Sequence, residues 1–305
     1  MSLAALYDVP APAKLNLFLH VIGRRADGYH LLQSPFVHID WCDTLHFERR
    51  SDGQVHRHDL GPALPADDLC LRAARTLQAA SGTALGVDIH ISKHVPWGAG
   101  MGGGSSDAAS TLLALNRLWG LNWPKARLIE LGLALGADLP FFIGGRNAWV
   151  EGIGERLTPL HCPPALYAVV KPPASLATKE IFEHSLMVRD SLPAILEGSS
   201  EEAGEIALPQ SWQEGYGRND LQAAAEVRCA EVAQAARWLD DHYGNSRMTG
   251  SGSAVFARAG RSASPLATDL ADVLQGPRGL QGLPTGWVGR MCCSLVEHPL
   301  RRWAD

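Results

Sequence analysis

The metal and disulfide signatures of small secreted domains and zinc enzymes are missing from this chain. Its six cysteines, Cys42, Cys70, Cys162, Cys229, Cys292 and Cys293, include no C-x-x-C spacing, and the one close pair is adjacent in sequence. The twelve histidines contain no H-E-x-x-H pattern. A zinc site or disulfide framework of recognisable spacing is thereby excluded. No run reaches the roughly 18 apolar residues that a membrane span needs. Met1 to Asp8 has neither the basic start nor the long apolar core of a signal peptide. These absences predict reduced thiols, no membrane partner and a cytoplasmic location. A basic field is lacking too. A net charge of -5 and a pI near 6.2 offer nothing to a nucleic-acid backbone. No nucleic-acid partner is expected, and any bound phosphate must be held by local geometry.

What is present is an ordinary globular composition, 46% apolar and 19% charged, over 305 residues. That length exceeds what one core usually fills, so two domains sharing a cleft are expected. A glycine run stands out: Pro96 to Ser106 reads Pro-Trp-Gly-Ala-Gly-Met-Gly-Gly-Gly-Ser-Ser. Ahead of it, Val87, Ile89 and Ile91 alternate as in a half-buried strand. After it, Ser105 or Ser106 can cap a helix carrying Ala108, Leu112, Leu115 and Trp119 on one stripe. A linker seldom joins two such committed elements. Glycines that accept positive φ, followed by a helix start with free N–H groups, suit a phosphate chain.

Gly98, Gly100 and Gly103 satisfy G-x-G-x-x-G by spacing, which alone is a weak signal. A dinucleotide fold needs an acidic residue about 20 positions on, and Leu118 to Trp123 contains none. No G-x-x-x-x-G-K-[ST] occurs, which excludes a P-loop, and protein-kinase catalytic motifs are absent.

Along the chain, strands are expected over 14–22, 36–41, 44–49 and 86–92. Helices are expected from Asp67 and Asp68 to Gly82, after the glycine run, and from Pro124 to Gly136, with a hairpin around 152–154. Cys162-Pro163-Pro164 reads as a hinge. Beyond it come a strand over 166–170, helices near 178–186 and 190–196, and a polar loop over 198–217. A long helix over 220–242, strands near 246–249, 254–258 and 286–292, and a helix near 264–275 complete the pattern. This order suits an α+β sandwich with an antiparallel sheet.

The loop pattern Pro-x-x-x-Gly-x-Gly-Gly-Gly-Ser-Ser-x-Ala-Ala resembles the second signature of the GHMP small-molecule kinases. Pro12-Ala13-Lys14-Leu15-Asn16-Leu17 is similar to that superfamily's first motif, and Met248 to Ala257, with Gly250-Ser251-Gly252, to its third. The resemblance implies a two-domain GHMP kinase fold. An N-terminal ribosomal-protein-S5-like α/β domain would span 1–162, and a C-terminal ferredoxin-like α/β sandwich 163–305. Gly23 to His30, Gly136 to Phe142, Lys171-Pro172 and Asn219-Asp220-Leu221 narrow the resemblance to the members that phosphorylate 4-diphosphocytidyl-2-C-methyl-D-erythritol in the non-mevalonate isoprenoid route.

That resemblance implies ATP and Mg2+ as cofactors and a small-molecule acceptor, and it distributes roles along the chain. Lys14 and Asp138 would be catalytic, Asp138 taking the acceptor proton. Read without it, Lys14 is a solvated strand lysine, and Asp138 serves equally as a helix N-cap. Lys93, Pro96, Gly98, Ala99, Gly100, Met101, Gly102, Gly103, Gly104, Ser105 and Ser106 would hold the nucleotide. Asn16, Tyr29, His30, Asp138, Thr178, Phe182, Gly250 and Ser251 would bind the acceptor, with Tyr29 and Phe182 stacking on cytosine and His30 reading its edge. No protein ligand for magnesium stands out. Another GHMP kinase and a catalytically silent nucleotide-binding regulator are the competing readings. Monomer and weak homodimer are left equally open.

Overall fold

The computed structural model describes residues 3–196, 204–259 and 280–305. The 21-residue strand β3 (His30–Arg50) is the spine of the first sheet. β1 (Ala5–Asn16) and then β2 (His20–Arg24) pair antiparallel along one edge of it. β5 (Gly86–Ser92) and β6 (Ala148–Gly152) share the other edge. β4 (Val55–Asp59) lies parallel outside β5. β7 (Arg156–His161) and the short β9 (Ile206–Ala207) continue beyond β6, giving eight strands.

Two expected strands, 36–41 and 44–49, are therefore one. Asp43 looks like a break in the sequence but is fully buried inside β3. Its carboxylate accepts from the Lys93 amine and from the His94 and Val95 N–H groups, so burial leaves no unpaired charge. The strand expected over 14–22 is the end of β1 and the start of β2. β1 begins nine residues before Lys14, at Ala5, and carries Pro10 and Pro12; it pairs with β3 on one side alone, where proline's missing donor is tolerated.

Four helices cover one face of this sheet. α1 (Leu69–Ser81) starts as expected, with the Asp68 side chain accepting from Leu71 N–H at 3.0 Å, and ends at left-handed Gly82. α2 (Gly103–Leu118) starts two residues before Ser105, because Gly102 at φ 70 turns the chain into the helix with no side-chain cap. α3 (Lys125–Leu133) follows Pro124, and α4 (Leu139–Gly144) follows Asp138. Leu77, Leu112, Leu115 and Phe142 pack against Leu45, Phe47, Ile89 and Ile91 to form the first core.

The chain leaves β7 through Cys162 to Ala165 and enters a second, antiparallel sheet. Its order is β10 (Arg247–Met248), β11 (Val255–Ala259), β8 (Leu166–Lys171), β12 (Val288–Cys293). α5 (Thr178–Glu183) and α6 (Gln210–Gln213) are short, so the loop expected over 198–217 holds β9 and α6 in its described part. The helix expected over 220–242 is two, α7 (Gln222–Arg228) and α8 (Ala230–Tyr243). Cys229 divides them in extended conformation, φ -148 and ψ 103. The stretch 190–196 is not helical. Its Ser191 N–H goes to Val21 O and its Ala194 N–H to Gln33 Oε1, which ties it to the first sheet. The helix expected near 264–275 lies outside the described residues. After β12 the chain returns: Leu300 and Ala304 are buried in the first core, and the amide of His298 donates to Gly145 O.

Candidate active site

The glycine loop is built by alternation. Gly98, Gly100 and Gly102 adopt φ 63, 70 and 70, while Ala99 and Met101 between them are buried in the core. Ala99 and Met101 thus give the site backbone, not side chains. A second glycine turn locks the first in place. Ser253 N–H donates to Gly98 O, Ala254 N–H to Ala99 O, and Lys14 N–H to Met101 O at 2.9 Å. A Cβ on Gly100 would lie 2.2 Å from Thr249 O, and one on Gly250 2.6 Å from Gly100 O. Contact this close admits only glycine on both sides.

One face of this loop borders a cavity of about 190 Å³ that Lys93, Pro96, Trp97 and Gly103 to Ser105 also line. The intrahelical ladder of α2 begins with Ser106 N–H to Gly102 O. The N–H groups of Gly103, Gly104 and Ser105 therefore have no partner in the turn before them, and the helix dipole adds positive potential there. Ser106 faces elsewhere: it is fully buried and its Oγ has no partner. Lys93 is not free to meet a phosphate alone. Its amine sits between Asp43 and Asp107, 2.5 Å from Asp107 Oδ2. Burial pushes this amine down, but the two carboxylates outweigh it and hold the pKa above the ordinary lysine value.

The other face of the loop borders a cleft of about 260 Å³ lined by strands of the first sheet on one side and by α5 and the second glycine turn on the other. Lys14, Asn16 and Asp138 line it from the first unit, Thr178, Phe182, Gly250 and Ser251 from the second. Lys14 is 3% exposed. Its amine donates to Asn16 Oδ1 and lies 4.7 Å from the Phe36 ring centroid. Burial pulls its pKa below the ordinary lysine value, against the opposing field of Asp138. Asn16 is fixed in turn by Thr249 Oγ1, which accepts its N–H at 3.0 Å, and by Ser34 Oγ, which accepts from Nδ2 at 2.9 Å. Asp138 occupies the N-cap position of α4, yet its side chain makes no capping hydrogen bond. Among the described residues its carboxylate has no hydrogen-bond or ion-pair partner. Side-chain capping by Asp138 therefore fails, and a half-buried carboxylate lining the cleft remains.

His30 does not itself line the cleft but stacks on Phe182, which does, centroids 5.3 Å apart and planes at 27°. His30 Nε2 is buried without a partner, and burial, then Arg24 and Arg189, lower its pKa. The ring therefore stays neutral, with one donor and one acceptor nitrogen. Thr178 Oγ1 and Ser251 Oγ are 2.8 Å apart. Tyr29 stands 61% exposed on the turn before His30 and does not line the cleft.

Residues 68–146 match the GHMP kinases N terminal domain, and residues 191–273 match the GHMP kinases C terminal model. A 4-diphosphocytidyl-2-C-methyl-D-erythritol kinase from Methylibium petroleiphilum is 60% identical over 304 residues, covering 100% of both chains. The chain belongs to this family of GHMP kinases. The relative of the same name from Albidiferax ferrireducens is 54% identical, over 98% of this chain and 96% of its own. A crystal structure of 4-(cytidine 5'-diphospho)-2C-methyl-D-erythritol kinase superposes with a TM-score of 0.70 at 34% identity, covering 93% of this chain and 98% of the other. Homoserine kinase from Cytophaga hutchinsonii, at 17% identity and TM-score 0.62 over 98% and 96% of the two chains, shares the fold. The two-sheet architecture is thus the GHMP kinase fold, as its motifs imply.

Several residues that shape this kinase's site escape a sequence reading. Asp43 and Asp107, 64 positions apart, meet at Lys93. Thr249 holds Asn16 from 233 positions away. Asn219 Nδ2 donates to Met248 O and Gly250 O, which fixes the second glycine turn. The Asn219-Asp220-Leu221 motif flags that last residue, but its partners come from the fold. No described helix is long and apolar enough to cross a membrane.

Proposed function

We propose that this GHMP kinase transfers the γ-phosphoryl group of ATP to the 2-hydroxyl of 4-diphosphocytidyl-2-C-methyl-D-erythritol, in the cytoplasm, as a step of isoprenoid precursor synthesis. The observation that carries the reading is the pairing of an unpartnered carboxylate, Asp138, with a buried amine, Lys14, in a cleft whose wall is the glycine loop. The loop also borders the second cavity, so phosphate and acceptor can meet across it. Residues 1–162 supply the loop and Lys14 with Asp138; residues 163–305 close the cleft with Phe182, Thr178 and the second glycine turn.

In this reading the β- and γ-phosphates rest on the N–H groups of Gly103, Gly104 and Ser105. Asp138 accepts the hydroxyl proton as the acceptor oxygen bonds to Pγ and the Pγ–O bond to ADP breaks. Lys14 meets the charge on the transferring group, where a fixed cation in a dry site is worth most. Lys93 supports the loop through Asp43 and Asp107 and acts on the nucleotide from behind them. Magnesium, when bound, would supply charge neutralisation to the triphosphate. Among the described residues no three His, Cys, Asp or Glu side chains converge as a metal site. Ser105, which lines the loop cavity, would offer a hard oxygen donor that fits it, and the triphosphate would provide the rest. Cytosine takes the place of the His30 ring against Phe182, Tyr29 closes over it, and His30 turns a ring nitrogen to the base edge.

ADP release from ATP should be observed with the cytidine-linked polyol and be near background with mevalonate, homoserine and galactose. Activity confined to one of the latter three would overturn the acceptor assignment. In the same assay Asp138→Asn should lose roughly 100-fold or more in kcat while ATP affinity is retained. A variant turning over at the parent rate would remove Asp138 from the base role.

A further inference from the structure

We propose that His38 is a positioning residue whose ring sets the Lys14 amine on β1 against the Asp138 carboxylate at the head of α4. The proposal rests on the reading that these two groups act together. Lys14 and His38 are direct cross-strand partners, so their side chains leave the sheet on the same face. Phe36, two residues before His38, shares that face and lies under the Lys14 amine. From above, α4 lays Phe141 flat on His38, with centroids 4.1 Å apart and planes at 19°. The edge of Phe141 also meets Phe36 at 5.2 Å and 76°.

Phe141 comes three residues after Asp138, so the plane on which it rests fixes how α4 presents that carboxylate. The next residue, Phe142, lies 5.6 Å from His38. A Cβ on Gly102 would strike the Phe142 ring at 2.9 Å and Lys14 Cγ at 3.3 Å. Base, amine and phosphate loop thus lean on one aromatic cluster, and His38 is its centre.

The imidazole works here as a flat spacer and not as a proton carrier. His38 is fully buried, and neither Nδ1 nor Nε2 has a partner. Burial first, and His298 at 5.5 Å second, push its pKa well below the ordinary histidine value. Its backbone is secured separately: His38 N–H donates to Asn147 Oδ1, and Asn147 Nδ2 donates to Leu295 O. Replacing the ring therefore removes the spacer without removing what holds the strand.

The chain has five lysines, Lys14, Lys93, Lys125, Lys171 and Lys179, so lysine labelled with 13C at Cε gives five resolvable titrations. In the parent and in His38→Phe, Lys14 should titrate below the ordinary lysine value. In His38→Ala, water entering beneath the amine should move it back toward that value. In turnover, His38→Ala should lose roughly 10- to 100-fold in kcat, with KM for ATP changed by no more than about twofold, and His38→Phe should restore kcat. His38→Leu, which keeps volume without the flat face, replaces His38→Ala if the latter does not fold. An unmoved Lys14 titration, a parent-like kcat in the alanine or leucine variant, or a phenylalanine variant no better than alanine would overturn the proposal. Parent enzyme inactive on the cytidine-linked acceptor would instead sink the functional reading, and the Lys14 titration would still decide the role of His38.

Discussion

Lys14 is held at a cost. A nearly buried ammonium with one amide oxygen as its hydrogen-bond partner gives up hydration that the distant Asp138 field restores only in part. Replacing it by Met, which fills similar volume, should stabilise the fold by roughly 1–4 kcal/mol while abolishing turnover. The pH dependence has a definite sign. The folded-state pKa is lowered, so between it and the unfolded value of 10.5 the unfolded chain binds more protons. Parent stability therefore gains, relative to Lys14→Met, as pH rises through that window. The advantage of the Met variant in urea unfolding should be larger at pH 7 than at pH 10. An equal gap at both would show that the amine is not desolvated. Lys14 is legible in the sequence because its motif is local. Asp43, Asp107 and His38 are not, because their partners are brought by β3, which runs 21 residues and gathers them from distant segments.

Among the elements, those with local punctuation were readable and those set by tertiary pairing were not. α1 is announced by Asp68 and Gly82. β3 looks broken at Asp43, since nothing nearby reveals the Lys93 amine that makes its burial tolerable. The glycine run reads correctly as a loop before a helix, but its individual glycines differ in what they do. At Gly100 a methyl would meet the Thr249 backbone oxygen at 2.2 Å, and φ is 70. Gly100→Ala should lower both stability and ATP affinity. At Gly104 a methyl would find its nearest neighbour, Leu69 Cδ1, at 3.8 Å, and no positive φ stands in its way. Gly104→Ala should stabilise α2 by roughly 0.4–1 kcal/mol and yet weaken ATP binding, because the phosphate approaches that backbone. Thermal unfolding and ATP titration on the two variants separate the effects. A Gly104→Ala protein with unaltered ATP affinity would move the triphosphate off the first turn of α2.

At the scale of the molecule, the chain passes from one sheet to the other between His161 and Leu166, but the passage is not final. The sequence carries no sign of the return, because Glu297 to Asp305 has no strand or helix periodicity of any length. After β12 the chain comes back to the first core, burying Leu300 and Ala304 and setting Arg117 over Trp303 at 4.7 Å. Lys125 and Asp305 pair at its very end. His298 N–H caps Gly145 O at the close of α4, and Arg301 packs where a side chain on Gly145 would lie. The terminus therefore buttresses, from below, the short helix that carries Asp138 at its head. Deleting residues 295–305 should cost roughly 3–5 kcal/mol through the loss of buried leucine and its packing. Because β9 pairs with β7 and Ser191 bonds to Val21, that loss should spread to both units and shift one urea transition, not split it. Tryptophan fluorescence and far-UV circular dichroism should therefore report the same lowered midpoint. Two separated transitions would show that the sheets unfold independently, and an unchanged midpoint would remove the returning segment from the first core.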